Sequence, residues 1–265
     1  MSDFSPREKA FFAPLMVFMG VMWLSQMVSG IFDGRAFWVF SKAQYWMHPV
    51  QVLVCGVMLI RWWHFYEWRP PQRVFFTVFI GVLTLVLWVS PIAYLVEHFF
   101  PKQARTPGFD PAFFGADGLP YYLNLGTRFV RMVIIVPLVE EIFWRGFLLR
   151  WLIDENPTKI SWRPFRWKFF IVEVLWHRIL LHWPTNGDFT KVPIGTFQWR
   201  SFIVVTLFFM LEHTPPDWPA ALLTGALFNW VAIHTRSLSS CVLVHAITNL
   251  GLGLYVLQTG KTGFW

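Results

Sequence analysis

The chain has 265 residues, of which 55% are hydrophobic, 20% aromatic and only 14% charged, and its mean hydropathy is +0.47. Soluble domains carry about 25% charged residues, so this composition argues against a soluble enzyme and for a polytopic membrane protein. The net charge of +7 does not point to nucleic acid, because most Lys and Arg sit in loops between apolar runs rather than on one basic face.

The first ten residues are mostly polar, and the apolar run after them, 11–32, has no small-residue cleavage site. It reads as a retained first span. The second run, 45–63, ends in Arg61-Trp-Trp-His-Phe-Tyr, which has the composition of an interfacial anchor. A short basic loop follows, with Arg61, Arg69, Arg73 and Pro70-Pro71. The third span is expected over 74–95. Residues 96–128 are rich in Pro, Gly and Asp and read as a long surface loop.

The fourth span, 129–153, contains the chemically unusual stretch. Glu140 and Glu141 stand side by side in it, with Pro137 about one turn before them. A charge near the bilayer centre costs at least ~2.5–3.5 kcal/mol, so intramembrane acids default to a functional reading. The proline frees a backbone carbonyl, which neighbouring helices must satisfy.

Residues 154–200 are basic, with Lys159, Arg163, Arg166, Lys168, Arg178, Lys191 and Arg200. Within them, 167–183 is aromatic but carries Glu173, His177, Arg178 and His182, which suits an amphipathic helix lying in the interface. A true span there is the alternative. Three apolar runs close the chain, 201–213, 219–235 and 239–258, with small residues at Thr224, Gly225, Ala226, Gly251 and Gly253 that permit close helix packing. The expectation is an all-α membrane helix bundle forming one integral domain over 1–265. It has seven spans plus one interfacial helix, or eight spans in the alternative. The basic loops at 61–73 and 154–200 fall on the side of the N-terminus, which places that side in the cytoplasm. Cys55 and Cys241 each lie in an apolar run, so neither a disulfide framework nor a cysteine metal site follows.

Helix geometry separates the two acids. Positions four apart share a face, so Glu141 can pair with Arg145, whereas Glu140 is turned away from that arginine by about 140°. Glu140 is therefore the better candidate for acid/base work. Two later runs offer groups for it to face: Phe209 and His213 one turn apart, and His245 and Asn249 one turn apart. A lone intramembrane histidine is more often a packed residue, and His48, His64, His98 and His234 lie nearer run ends. Glu212 is also polar within an apolar run, with its role open. No His-Glu-x-x-His, no paired intramembrane Asp and no phosphate-cradling glycine loop occurs, and Ser29-Gly30 lacks the glycine pattern of a rhomboid-type serine nucleophile.

Glu140-Glu141-x-x-x-Arg145, Phe209-x-x-x-His213 and His245-x-x-x-Asn249, in that order on separate runs, resemble the three motifs of the CAAX-protease and bacteriocin-processing family of intramembrane endopeptidases. The resemblance covers a core of roughly 129–258. The surrounding text, Glu140 to Phe147, Lys191-Val-Pro-Ile-Gly-Thr-Phe197 and His245 to Tyr255, is similar to a bacterial CAAX prenyl protease-related branch associated with exosortase and PEP-CTERM protein sorting. Against that branch, 155–187 looks like an insertion peripheral to catalysis.

The resemblance implies peptide-bond hydrolysis in a membrane-anchored protein or peptide. Glu140, helped by His213, would activate a water; His245 and Asn249 would donate to the oxyanion; Glu141 and Arg145 would orient the site. It also implies residence in the bacterial cytoplasmic membrane, with the lipid bilayer and exosortase-system proteins as partners and no nucleic acid. A His213, His245 and Glu140 zinc set is conceivable, but Asn249 suits an oxyanion donor better, so no cofactor is preferred. Two rivals come from other classes. One is a non-catalytic scaffold or chaperone of a sorting or export system. The other is a proton-coupled transporter, disfavoured by the lack of internal repeats.

Overall fold

The computed structural model describes residues 5–32, 37–99, 108–153 and 188–265. The inserted segment 155–187, with the amphipathic helix expected at 167–183, lies outside the described residues. All regular structure among the described residues is helical.

Among the described residues, seven helical rods pass back and forth. The first, α1 (Pro6–Ile31), starts on a capping box: the Ser5 hydroxyl accepts from the Glu8 amide, the Glu8 carboxylate accepts from the Ser5 amide, and Pro6 holds the first position. Next comes α2 (Gln44–Trp62). The rod α3 runs Val74–Leu87, passes through a π-helical stretch at Trp88–Ile92 and continues as Ala93–Phe99. The long rod α4 begins at Gly118–Val130 and ends at Leu149–Trp151. The last three are α5 (Trp199–Leu211), α6 (Trp218–Thr235) and α7 (Leu238–Thr259).

Two sets of contacts define the ends of the bundle. At one end Tyr66 donates to the Ala10 carbonyl, Gln72 donates its amide to Ser240, and Arg150 pairs with Glu67 at 2.9 Å. At the other, Tyr45 donates to the Asp110 carbonyl and Trp38 packs edge-on to Phe114. The rods therefore alternate in direction. In packing, α1 lies on α2, α3 on α7 and α5 on α6, while α4 touches α1, α2, α5 and α7 and runs through the middle.

The distribution of polarity is inverted relative to a soluble protein. Arg145, Asn229, Thr77 and Gln51 are buried, while Phe75 is 95% exposed and Ile60 77%. Apolar surface of this extent is tolerated where lipid, not water, is the solvent. Among the described residues three helices, Pro6–Ile31, Val74–Leu95 and Leu238–Thr259, are long and apolar enough to cross a membrane on their own composition. The chain is a polytopic helical membrane bundle.

One boundary differs from expectation. The fourth rod begins at Gly118, not at residue 129, so part of the stretch read as loop is helix. Pro120 sits in its first turn, where the amides have no intrahelical acceptor and a proline costs little. The Pro, Gly and Asp that suggested a loop are concentrated just ahead of that start.

Small residues let the rods approach. At Gly225 a methyl group would lie 3.3 Å from both the Phe209 ring and the Thr206 carbonyl, and at Gly251 it would enter the Leu85 side chain. Gly195, in the loop before α5, has φ +77, and a side chain there would collide with the Ala232 carbonyl. Gly195→Ala is expected to cost about 1–3 kcal/mol through both strain and displacement of α6. Thermal unfolding of the detergent-solubilised variant checks this, and an unchanged midpoint would show the loop to be free of α6.

Candidate active site

The site is built on the middle of α4, which departs twice from α-helical register. Pieces at Arg131–Ile135 and Ile142–Leu148 are π-helical and flank the α-helical piece Val136–Glu141 that holds both acids. Such bulges rotate the side chains that follow and recur at functional sites. The first has a local cause. The Val136 amide bonds the Arg131 carbonyl, five residues back, and in that register residue 137 would donate to Met132. Pro137 has no amide hydrogen to give. The Asn249 amide of α7 supplies the bond instead, with Nδ2 to the Met132 carbonyl at 2.8 Å. Asn249 is thereby pinned against α4 with its second N–H uncommitted by this bond.

Glu141 is the hub of a buried network. Its Oε1 accepts from Arg145 Nη1 at 3.0 Å and from His245 Nδ1 at 2.9 Å. Arg145 spends its other donors on Asn229 Oδ1 through Nε, at 3.0 Å, and on the Gly225 carbonyl through Nη2, at 3.2 Å. Its guanidinium also lies 4.9 Å from the Phe209 ring centroid and 5.6 Å from that of Phe228. Asn229 in turn donates to Thr206 Oγ1 at 3.1 Å. The chain Thr206–Asn229–Arg145–Glu141–His245 thus ties α5, α6, α4 and α7 together.

The Glu141–Arg145 pair is as its spacing predicts. His245, expected opposite Glu140, is held by Glu141 instead. An ionised carboxylate only accepts, so Nδ1 of His245 carries a proton and Nε2 is left for other use. Asn229 was not singled out from sequence, although an Asn in the middle of an apolar run is the kind of signal that marks such a residue.

Glu140 stands apart from this network. It is 7% exposed, and its Oε2 is buried without a hydrogen-bond partner. Glu212, Glu141, Arg145 and Arg131 are the charged groups whose fields act on it. Glu212, left open by the sequence, accepts from the Trp144 indole at 3.1 Å and so sits beside α4 near the acids. His213 follows the end of α5, and its Nδ1 is 2.8 Å from the Phe209 carbonyl. A carbonyl accepts, so Nδ1 is the protonated nitrogen and Nε2 has its lone pair free. Phe209 spaces the two histidines, its ring centroid being 5.0 Å from that of His213 and 6.4 Å from that of His245.

An apolar groove of about 350 Å³ runs between α1, α4 and α5, lined among others by Phe12, Trp23, Phe147, Phe208 and Leu211, with Glu212 as its acidic member. It connects lipid-facing surface at Trp23, which is 63% exposed, to the neighbourhood of Glu140.

The sequence also left open a zinc set of Glu140, His213 and His245. Both histidines keep Nε2 available, as metal ligands do, yet among the described residues no group of three or more His, Cys, Asp or Glu is placed to hold an ion.

Residues 123–251 match the family model of Rce1-like type II CAAX prenyl endopeptidases. This segment belongs to that family. The match spans the three motif pairs and ends two residues past Asn249. The Rce1-like family is one of proteases, which supports peptidase activity as the general class. No curated protein and no solved structure matches the chain at a significant level. The Rce1-like segment starts inside the first piece of α4 and takes in all of α5 and α6, so α1, α2 and α3 lie outside it. Of these, α1 supplies one wall of the groove and α2 packs against the outer part of α4.

Proposed function

We propose that the protein is an intramembrane endopeptidase that hydrolyses a peptide bond of a membrane-anchored protein, with Glu140 as the general base. The observation that carries this reading is a buried carboxylate, Glu140, with no bonded partner beside one, Glu141, whose Oε1 is held by Arg145 and His245, with two imidazoles each presenting Nε2. Glu140 takes a proton from water as the oxygen attacks the scissile carbonyl, and His213 Nε2 accepts from the same water. The carbonyl oxygen becomes an oxyanion, which accepts from the free N–H of Asn249 and from Nε2–H of a doubly protonated His245. With His245 and Arg145 cationic and Glu140 and Glu141 anionic, the four groups are neutral overall, which suits a buried site. Collapse of the intermediate breaks the C–N bond, and the leaving amine takes the proton held by Glu140.

The apolar groove would receive the hydrophobic anchor of the substrate, leading the adjacent backbone to Glu140. The positive-inside asymmetry of the loops supports a cytoplasmic position for the Arg61–Arg73 side. A bacterial inner-membrane setting and exosortase-system partners rest on the resemblance of the motif-flanking text alone.

The test is to compare new N-termini of membrane-anchored proteins in cells with and without this protein. Termini that appear only when it is present, and that persist in purified membranes treated with a chelator, are the expected result. Identical sets of termini would sink the protease reading. Termini lost on chelation and restored only by zinc would overturn the metal-free scheme.

A further inference from the structure

A second cluster of buried polar groups lies on α4 well before the acids. Arg128 is only 8% exposed, its Nε is buried without a hydrogen-bond partner, and no acidic side chain pairs with it among the described residues. Its neighbour Arg131 is accounted for, donating through Nε to Gln51 Oε1 at 2.6 Å and lying over the Phe18 ring. Arg128 has no such partner.

Three further nitrogens near it are also buried and unpartnered: Nδ1 of His48 on α2, Nδ2 of Asn124 one turn earlier on α4, and Nε1 of Trp265. Phe109 gathers Arg128, His48 and Trp265, and Asn124 stands one helical turn from Arg128. The Arg128 guanidinium is 5.7 Å from the Phe109 ring centroid and 5.9 Å from that of Trp265. The His48 ring is 5.5 Å from Phe109, and Trp265 is 6.0 Å from it.

Ring faces compensate a cation in part, but they give nothing to an N–H that points past them. Four nitrogens able to donate, one of them on a permanent cation, lie in this neighbourhood without a hydrogen-bond acceptor among the described residues. Buried polar groups are almost always bonded, so the shared missing partner is an acceptor with several oxygens and negative charge. The surface beside the cluster indicates where such an anion comes from. On the same helix Leu119, Tyr122 and Leu123 are 70%, 66% and 59% exposed, an apolar and aromatic face of the type found at the level of lipid headgroups.

We propose that Arg128, Asn124, His48 and Trp265 form a binding site for the phosphate of an anionic membrane lipid. The lipid headgroup neutralises Arg128 and ties the outer part of α4 to α2 and to the segment at Trp265. The site is separate from the acids of the proposed active site and stands whether or not the chain cleaves peptides.

The experiment is native mass spectrometry of the full chain in neutral detergent, stripped of lipid and titrated with phosphatidylglycerol, with inorganic phosphate as a separate arm. One tightly held phosphatidylglycerol per chain is expected. Arg128→Gln should weaken it by about tenfold or more, as loss of a charge-assisted contact does, and Trp265→Phe, which keeps the ring but removes the donor, by a smaller factor. Should Arg128→Gln fail to fold, Trp265→Phe and Asn124→Leu carry the comparison. Equal lipid retention by the wild type and the variants would overturn the site. Inorganic phosphate that binds the wild type more tightly than the lipid does would overturn the assignment to a lipid.

Discussion

Glu140→Gln is expected to abolish peptide hydrolysis while leaving the protein folded. The two side chains have the same shape, and Oε2 of Glu140 makes no hydrogen bond that the amide would break. The substitution also removes a negative charge from a site that Glu212 and Glu141 already make acidic, so stability should be equal or slightly higher. A positioned general base contributes about 10²–10⁴ to rate, and a glutamine cannot take a proton from water. The expected loss is about a thousandfold in kcat, read with a membrane-anchored peptide whose cleavage is followed in detergent or in vesicles. Glu141→Gln should behave differently. It weakens the hold on Arg145 and His245 together, so its loss of activity comes with a lower unfolding temperature. If Glu140→Gln keeps a tenth or more of wild-type turnover, the base lies elsewhere and the assignment fails.

How much of this was legible in the chain depends on the range of the interaction. The Glu141–Arg145 pair follows from spacing within one helix, and the isolation of Glu140 follows from the same rotation. The identity of the partners brought in by α7 does not. His245 meets Glu141 rather than Glu140 on a rod that is π-helical on both sides of the acids, and register changes of that kind leave no mark in apolar periodicity. Pro137 was the visible sign of a disturbed helix, but that Asn249 takes the place of its missing amide hydrogen required the fold. Asn229 was visible as a polar residue in an apolar run. Its importance was not, because its partner Arg145 is 84 positions away in sequence. Composition also misplaced the start of α4, since the turn residues ahead of Gly118 obscure an amphipathic first piece.

The largest effect on stability is expected at Arg145. Its side chain is 0% exposed, bonds Glu141, Asn229 and the Gly225 carbonyl, and lies against two aromatic rings. Arg145→Met fills much of the same volume but leaves Glu141 as a buried charge with His245 alone, and leaves Asn229 Oδ1 and the Gly225 carbonyl short of a donor. Breaking a buried pair from one side typically costs about 3–5 kcal/mol, because the remaining charge stays desolvated. Arg145→Lys should recover little of this. A single ammonium on a flexible stem does not reproduce the planar fork that reaches three acceptors on two helices. Removing both charges, as Arg145→Met with Glu141→Gln, should be less harmful than the sum of the single changes, since no unpaired charge remains. Unfolding midpoints of the four variants and the wild type in one detergent measure this coupling directly. An Arg145→Lys protein as stable as the wild type would mean that charge alone is required, and the network joining α4 to α6 would lose its structural role.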